Sequence, residues 1–360
     1  MANHRIATLL PEEAQTTAGT KTIDLNIDDT ISRIEIKLDR LAASNTFAAH
    51  PSADITEIKI VDGSDVLFSA TGGEAQALNI YDRQCPTMIE GTFINANDVI
   101  SRYGIDFGRK LWDKDEAFDP NRYTNPQLKI THTMVSCNAS CVAGTMEVKA
   151  RTWDERKVNP RGFLSSKEIY SYTCGSANSY EYIELPQDYP IRKMLIRGYY
   201  TATSPADSVT EFRIDENMEK KIPIDIGTET YYSQMVGERW KPVLESIQAY
   251  TAGSANYFYM TPTWYWNMTG LTPSDSYNVY CPYTAAGGKL NITADASTSF
   301  NGVVTGYLPN HCIEVPFGDS DDPTDWYNVA AKEKVRLRLK AGTNGTSGTA
   351  QVVLQQLRPY

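Results

Sequence analysis

Apolar and polar residues alternate along much of this chain, and one stretch of that alternation occurs twice. Residues 22–38 read TIDLNIDDTISRIEIKL, and residues 182–198 read YIELPQDYPIRKMLIRG. Without a gap, Ile23-Asp24-Leu25 lies over Ile183-Glu184-Leu185, and ISRIEI lies over IRKMLI. Alternation with a period of two is typical of β-strands that bury one face. A match that keeps residue type and order across both segments indicates an internal duplication.

The duplication extends beyond these strands. Residues 53–60 (ADITEIKI) are echoed by residues 206–214 (ADSVTEFRI), so one short loop differs in length between the two halves. A turn at Asp62-Gly63 precedes a further apolar run. Each half then contains a predicted helix, at residues 74–84 and 228–239, because both segments carry apolar stripes. A helix at the same place in both halves supports the duplication.

The later strands match with a growing offset. Residues 128–131 (LKIT) lie over residues 290–293 (LNIT), with an offset of 290 − 128 = 162. Residues 144–150 (GTMEVKA) lie over a final strand that begins at Gly348, with an offset of 348 − 144 = 204. These matches place the extra length of the second half between Thr293 and Gly348, as loop insertions.

Short strands separated by turn signals, with one helix and long loops in each half, indicate a sandwich or barrel rather than alternating βαβ units. Among sandwiches, the jelly roll tolerates long loops at one end of its two four-stranded sheets. We therefore predict an all-β fold of two tandem eight-stranded jelly rolls, each with one short helix and long loops. The predicted divisions are an N-terminal arm at residues 1–17, a first jelly roll at 18–156, a linker at 157–167, and a second jelly roll with larger insertions at 168–360.

Length and charge narrow the class of protein further. A chain of 360 residues exceeds the usual size of a single core, in agreement with two domains. The net charge of −10 argues against a surface that coats nucleic acid, because phosphate binding needs clustered Lys and Arg. No stretch approaches the roughly 20 apolar residues of a membrane span, and the N-terminus lacks a secretory signal pattern. We expect a soluble protein that is made in the cytoplasm.

The motifs of common enzymes are missing from the sequence. Its four histidines never occur as HxH or HExxH, and there is no P-loop, no GxGxxG after a strand and no GxSxG elbow. We therefore predict no catalytic residue, no cofactor and no resident metal. Two questions stay open: whether Cys137 and Cys141 form a hairpin disulfide, and whether the acidic loop Asp319–Asp325 binds a cation such as Ca²⁺. For that loop, a solvated surface loop is the favoured interpretation.

The most unusual local feature is the aromatic run YFYMTPTWYW at residues 257–266. Trp and Tyr are enriched at buried contact centres, so the run could form a sugar-stacking platform or a subunit interface. It could equally be two strands that direct alternate aromatic side chains into the core. We take Tyr259, Trp264 and Trp266, together with Trp326, as the candidate residues for subunit or glycan contacts.

Taken together, these features resemble one known family: the double jelly-roll major capsid proteins of adenovirus and of tailless bacteriophages with an internal membrane. The resemblance rests on the repeated block (residues 23–60 over 183–214), the helix placed in each half, the short linker and the unequal loops. It covers nearly the whole chain, and it lies in the architecture rather than in a single motif.

The resemblance implies a structural capsid protein without enzymatic activity. Three chains would form a homotrimer whose six jelly rolls build a pseudo-hexagonal capsomer on an icosahedral shell. Long loops would form outer towers, and the N-terminal arm would lie near the membrane or a neighbouring capsomer. Partners would be neighbouring capsomers, other virion proteins and the internal membrane, without direct contact to nucleic acid. The implied location is the virion capsid, after synthesis in the host cytoplasm.

Two hypotheses from other classes compete with the capsid hypothesis. The chain could be a virion spike or a carbohydrate-binding double β-sandwich that uses Trp264 and Trp266 as its platform. It could also be a double jelly-roll glycan hydrolase or amidase, which needs two carboxylates that converge in one pocket.

Overall fold

The computed structural model describes residues 4–42, 45–85, 89–91, 93–133, 136, 142–154, 158–252, 256–273, 276–281, 287–343 and 347–360. Cys137 and Cys141, and with them the question of a hairpin disulfide, lie outside these ranges. In chain order, the elements of the first half are β1 (His4–Gln15), β2 (Ala18–Asp24), β3 (Ile31–Leu41), β4 (Ile55–Asp62), β5 (Asp65–Ala70), α1 (Gly72–Arg83), β6 (Ile89–Gly91), β7 (Asp98–Asp106), β8 (Pro126–Thr133) and β9 (Val142–Trp153).

The first half is a sandwich of two sheets within the described residues. One sheet has the strand order β1-β9-β3-β7-β6, and the other has the order β2-β8-β4-β5. Alternate side chains of both sheets meet in one buried core, to which Ile34 and Val148 contribute from the first sheet and Ile58 and Ile130 from the second. The period of two along the strands thus reports the face that each sheet turns to the other.

The second half contains more elements than the first. In chain order they are β10 (Gly162–Thr173), β11 (Tyr180–Glu184), β12 (Ile191–Tyr199), α2 (Pro205–Ser208), β13 (Val209–Glu216), β14 (Lys221–Gly227), α3 (Thr228–Glu238), β15 (Val243–Ala252), β16 (Asn256–Tyr259), β17 (Pro262–Pro273), β18 (Val279–Tyr280), β19 (Lys289–Ala294), β20 (Ser297–Pro309), β21 (Cys312–Pro316), β22 (Val335–Ala341) and β23 (Thr349–Pro359).

The topology of the first half is repeated in the second. There the described strands pair in the orders β10-β23-β12-β21 and β11-β22-β13-β14. With β6 and β15–β20 set aside, the first strand of each half lies beside the eighth and the third beside the sixth, which is jelly-roll connectivity. Helices α1 and α3 both follow the fifth strand. The predicted fold class of two tandem jelly rolls is confirmed.

A short helical turn before the fourth strand also occurs in both halves. It is the 3₁₀ turn Pro51–Asp54 in the first half and α2 in the second, and proline opens each of them. Proline suits this position because its missing N–H would have no partner inside the helix. These turns correspond to the repeated Ala-Asp pair of the sequence, at residues 53–54 and 206–207.

Two segments that the sequence places outside the sheets are strands. The prediction of an N-terminal arm at residues 1–17 is wrong for residues 4–15. These residues form β1, which pairs along its length with β9. It is an edge strand whose one buried residue is Leu10, and two register shifts around that residue disrupt the alternation. The predicted linker at 157–167 overlaps strand β10. The polar Ser165 of β10 is buried there, and its hydroxyl is satisfied because Oγ donates to the carbonyl of Leu67, 2.6 Å away.

The seventh strand of the second half is β22, so the match of residues 290–293 to residues 128–131 is wrong. β22 pairs with β13 as β8 pairs with β4. The misassigned segment lies in β19, inside an insertion between α3 and β21. Alternation reports that a strand has one buried face, and it does not report which sheet buries that face. The extra length therefore lies in the segment that contains β15–β20, before β21, and not only after Thr293.

We call residues 243–309, which contain β15–β20, the tower. Its described strands form two small sheets with the orders β15-β20-β17 and β16-β19-β18. The tower core includes Ile247 and Phe258 and also Phe47 and Phe93, which come from loops of the first half. The tower therefore packs on the first jelly roll although its sequence belongs to the second. No helix among the described residues is long and apolar enough to cross a membrane.

Helix α1 lies between the two jelly rolls. It begins with a capping box, in which Thr71 and Glu74 each accept a hydrogen bond from the other's backbone N–H. Its Leu78 packs against Leu195 and Val353 of the second half. The halves also share a continuous sheet, because β5 meets β10 in parallel. The duplicated units are thus joined by packing as well as by the chain.

The start of α1 is a point of close backbone approach. A Cβ at Gly72 would lie 2.4 Å from the carbonyl oxygen of Ser52. We expect Gly72→Ala to lower the free energy of unfolding by about 1–3 kcal/mol, because the packed backbone would have to move. Gly237→Ala in α3 is the matched control: its added Cβ meets no described atom within 4 Å. There, helix propensity should raise stability by up to about 1 kcal/mol.

Urea denaturation of these two variants beside the wild type checks the prediction. A Gly72→Ala variant as stable as the wild type would contradict the close contact between α1 and the 3₁₀ turn.

Candidate functional site

The aromatic run forms β16 and the start of β17, and its two tryptophans contact different cores. Trp264 is partly buried against the core of the second jelly roll, with its ring 4.9 Å from that of Tyr232. Trp266 is partly buried against the tower core. The two side chains therefore do not form one flat platform. For these two tryptophans, partial burial against two cores favours the interpretation in which the run directs aromatic side chains into the core.

Tyr265 is the most exposed aromatic residue of this run, since Tyr257 is 39 % exposed, and sequence analysis did not select it. Its side chain is 79 % exposed. Tyr265 has a positive φ of 46°, and the pairing of β17 with β20 shifts register between Trp264 and Asn267. Such a β-bulge locally re-aims side chains. Strict alternation between two partly buried tryptophans is the signal that could have identified the residue between them.

The other two predicted contact residues lie in different surroundings. Tyr259 is partly buried, and the ammonium of Lys289 lies 5.7 Å from its ring centre. Trp326 is only 4 % exposed, and its Nε1 donates to the carbonyl of Asp319 at 2.9 Å. That burial leaves Trp326 little surface to offer another chain. It fixes the acidic loop instead.

The acidic loop uses its carboxylates to bind its own backbone. Asp325 Oδ2 accepts from the N–H of Asp319 at 2.6 Å, and Asp322 Oδ1 accepts from the N–H of Thr324 at 2.9 Å. Arg109 of the first half donates to the carbonyl of Asp321 at 2.6 Å. Among the described residues, no group of three or more His, Cys, Asp or Glu could hold a metal ion.

Edge strand β11 carries a second exposed aromatic pair. Tyr180 and Tyr182 are 43 % and 52 % exposed, and their ring centres lie 6.4 Å apart. The guanidinium groups of Arg338 and Arg336 lie over these rings at 4.8 and 4.9 Å. Each arginine also pairs with a carboxylate of β13. The face is therefore aromatic and charge-balanced rather than a basic surface for nucleic acid.

A polar groove of about 290 Å³ lies over the seam between the two halves. Glu57 and Glu168 both line it, and burial, together with the nearby Glu74, raises the pKa of Glu168 to about 7. Two carboxylates on one groove are what the hydrolase hypothesis requires. However, no aromatic ring on which a sugar could stack is present among its described lining residues.

Solved structures resemble this chain over its whole length. The major capsid protein of STIV, Sulfolobus Turreted Icosahedral Virus, matches with a TM-score of 0.62 and 10% identity, over 100% of this chain and 98% of that chain. The major capsid protein P2 from bacteriophage PM2 matches with a TM-score of 0.54 and 9% identity, over 99% and 98%. PBCV-1 VP54, fitted into a reconstruction of the virophage Sputnik, matches with a TM-score of 0.55 and 7% identity, over 99% and 94%.

The fold is the double jelly roll. The resemblance inferred from the duplicated sequence is confirmed at this level, since the similar proteins are major capsid proteins of viruses. No protein-family model matches the chain, and no curated protein matches it in sequence. At identities of 7–10%, the likeness is one of double jelly-roll architecture rather than of particular side chains.

A buried carboxylate where the tower meets the first half gives a pH-dependent prediction. Glu245 is 1 % exposed, and burial raises its pKa to about 7 although Thr261 donates a hydrogen bond to it. An unfolded glutamate titrates near 4.5, so the folded state binds this proton more tightly. The stabilisation is complete below about pH 4.5, and it is lost as the pH rises through about 7.

The wild type should lose unfolding free energy as the pH rises from 5 to 8. We expect Glu245→Gln to lose about 2–3 kcal/mol less over the same range. Urea denaturation at both pH values measures the difference. The control is Glu333→Gln, whose side chain is 70% exposed and which should keep the pH dependence of the wild type. Parallel pH profiles for Glu245→Gln and the wild type would contradict the proposed titration of Glu245.

Proposed function

We propose that this protein is the structural major capsid protein of an icosahedral virus and forms trimeric, pseudo-hexagonal capsomers. The observation that carries the proposal is the duplicated fold, with the same strand order in both jelly rolls of one chain. Three such chains arrange six similar units around a threefold axis, as a hexagonal lattice requires of a trimer. Similarity over the whole chain to capsid proteins of STIV and PM2 supports the same role.

In the virion, we place the tower on the outside of the shell. We assign the virus to the bacteriophages with an internal membrane. One of the similar proteins belongs to bacteriophage PM2, which supports a bacterial host. A net charge of −10 suits a shell that surrounds a lipid vesicle better than one that binds the genome directly.

In this proposal the protein has no enzymatic role. Its partners are two further copies in the capsomer, neighbouring capsomers, other virion proteins and the internal membrane. It is made in the host cytoplasm and resides in the virion capsid. A structural role is supported by buried ion pairs that bind parts of the fold to one another, such as Arg40 with Asp54 and Lys193 with Glu314.

The experiment that tests the proposal is the molar mass in solution. One chain has a mass of 40.2 kDa, so a trimer has a mass of 3 × 40.2 = 120.6 kDa. We expect light scattering after size exclusion to give the trimer mass at micromolar concentration. A mass of one chain at every concentration would count against trimeric capsomers.

Exposed tyrosines on edge strand β11 indicate a surface of the second half that contacts other chains. Tyr180 and Tyr182 lie on an edge strand beside arginines, a composition that is enriched in interfaces. We expect Tyr180→Ser combined with Tyr182→Ser to weaken the trimer by at least about 30-fold, since two interface anchors are removed. Met218→Ser, which removes another exposed apolar side chain, is the control and should leave the mass unchanged. Equal masses for all three proteins would exclude this contact.

The runner-up is a carbohydrate-binding module, and the exposed ring of Tyr265 is the observation that favours it. Replacing Trp264 and Trp266 would disturb two cores, so Tyr265→Ala is the cleaner test. Glycan binding that is lost in Tyr265→Ala, from a protein that is monomeric in solution, would support the module over the capsid protein. Absence of glycan binding by the wild type would eliminate the module.

A further inference from the structure

A cavity of about 150 Å³ lies where the two jelly rolls meet the tower. His50 reaches it from the first half, Arg197 and His311 from the second, and Tyr259 and Met260 from the tower. These residues lie far apart in the sequence, and the fold alone brings them together. Neither jelly roll by itself contains the cavity.

Among the described residues, Arg197 carries a positive charge without a direct carboxylate partner. Fourteen other arginines in the described part of the chain lie within 4.0 Å of a carboxylate. Arg197 instead donates from Nε to the carbonyl of Asn310 and from Nη1 to Gln351 Oε1, at 3.2 and 2.6 Å. Gln351 in turn donates to Glu168, so a neutral amide separates that carboxylate from the guanidinium.

The third guanidinium nitrogen, Nη2 of Arg197, makes no hydrogen bond to any described residue. A partly buried cation in this state attracts an anion, because the surrounding protein screens its charge less than water does. The free nitrogen also leaves a donor for that anion.

The two histidines supply polar nitrogens without adding charge. His311 is 7 % exposed, and its Nε2 is buried without a hydrogen-bond partner among the described residues. His50 is held by Ser52 Oγ at 2.7 Å on Nδ1 and by Thr261 Oγ1 at 3.3 Å on Nε2. Burial, together with the charges of Arg40 and Arg197 for His50 and the charge of Arg197 for His311, lowers the pKa of both histidines to about 3. Both are therefore neutral near pH 7, and His311 has an unused hydrogen-bonding site.

The rest of the cavity wall is mainly apolar or aromatic. Ala53, Ala202 and Met260 contribute aliphatic surface, and Tyr199 and Tyr259 contribute rings. No Asp or Glu is present among the described lining residues. A ligand that fits this wall has one negatively charged end and one apolar end. A cavity of about 150 Å³ can hold a ring the size of benzene.

We propose that this cavity binds a small organic monocarboxylate, with its carboxylate on Arg197 and His311 and its apolar end against Met260 and the tyrosines. Nη2 of Arg197 can give the carboxylate a charge-assisted hydrogen bond, which is stronger than a hydrogen bond between neutral groups. The imidazole of His311 donates its N–H when Nε2 carries the proton, or when a second proton is taken up. Because the site draws residues from three parts of the fold, the ligand stabilises their junction by mass action.

Benzoate is the probe, and benzamide is its neutral counterpart of the same shape. Isothermal titration calorimetry of the full chain at pH 7 should show benzoate binding and no benzamide binding. We expect Arg197→Gln and His311→Asn each to weaken benzoate binding by at least about tenfold, because each removes a buried hydrogen bond to a charged group. Asn suits residue 311 because its φ is 66°. Arg5→Gln, on the exposed edge strand β1, is the control and should bind like the wild type.

The proton balance separates recognition by His311 from general attraction to positive charge. A carboxylate beside the imidazole raises its pKa above about 3, so benzoate affinity should rise as the pH falls below the pKa of the bound imidazole, by at most about tenfold per pH unit for each proton taken up. His311→Asn should flatten this pH dependence. The proposal is overturned if the wild type does not bind benzoate, if benzamide binds as tightly as benzoate, or if both cavity variants bind like the wild type. The first two outcomes need no variant, so a variant that misfolds does not obscure the result.

Discussion

Replacing Asp82 with Asn should destabilise the folded chain by about 3–5 kcal/mol, because two buried cations lose their shared carboxylate. Asp82 lies in the last turn of helix α1 of the first half, and it accepts from Arg192 Nη1 and Lys193 Nζ of the second half, both at 2.7 Å. All three side chains are less than a tenth exposed. Burial alone would raise the pKa of Asp82, but the two cations hold it below its usual range.

Urea denaturation with separate probes for each half measures the effect. The matched control is Asp225→Asn: its carboxylate is 45% exposed and lies 3.6–3.7 Å from Arg213 and Arg338. An exposed pair of this kind contributes less than about 1 kcal/mol. If Asp82→Asn costs no more than Asp225→Asn, the account of a buried ionic joint between the jelly rolls is wrong.

Arg40→Met should cost a similar amount, about 3–5 kcal/mol, because it leaves a buried carboxylate without its cation. Arg40 and Asp54 are ion-paired, and neither side chain is exposed. Arg40 also donates to Ser101 Oγ at 2.6 Å and to the carbonyl of Pro51 at 3.2 Å. Asp54 in turn accepts from the N–H and the hydroxyl of Ser136. The pair fixes the loop that carries the 3₁₀ turn against strand β3.

A double-mutant cycle separates the lost pair from the lost volume. Arg40→Met with Asp54→Asn should be less destabilised than the sum of the two single variants, since the uncompensated charge is absent. Arg5→Met, which breaks an exposed pair, is the control for removing an arginine. Strict additivity of the two single effects would contradict a direct buried interaction.

The strands at the heart of the duplication could be predicted because their signal is local. Ile34 and Ile36 alternate with polar residues, and this pattern directly reports one buried face. Strand β1 gives no such signal, since Leu10 is its one buried residue and the pairing shifts on either side of it. Its place in the sheet depends on β9, more than a hundred residues away in the sequence.

The assignment of β22 shows a second limit of sequence patterns. Leu290 and Ile292 alternate as Leu128 and Ile130 do, and all four side chains are buried. The difference lies in their partners, because β8 pairs with β4 whereas β19 pairs with β16. Hydrogen bonding between distant strands is not written into either segment alone. The strand pairing, and not the alternation, therefore identifies β22 as the counterpart of β8.

The candidate contact residues could be predicted only in part. The aromatic run was recognised as unusual, but the bulge at Tyr265, which makes that ring the most exposed of the run, has no signal in the sequence alone. Trp326 is of a residue type that is enriched at interfaces. In the structure it is buried within its own loop, where its Nε1 donates to the carbonyl of Asp319. The cavity around Arg197 and His311 has no sequence motif, because its walls come from three separate segments.

The arrangement of towers tests the central claim most directly. Only the second half carries an insertion the size of β15–β20 within the described residues, so each chain contributes two jelly rolls and one tower. Electron microscopy of the purified protein should show particles with a six-sided base and three projections around a threefold axis. Single-chain particles, or assemblies without threefold symmetry, would contradict the proposal that this chain builds pseudo-hexagonal capsomers.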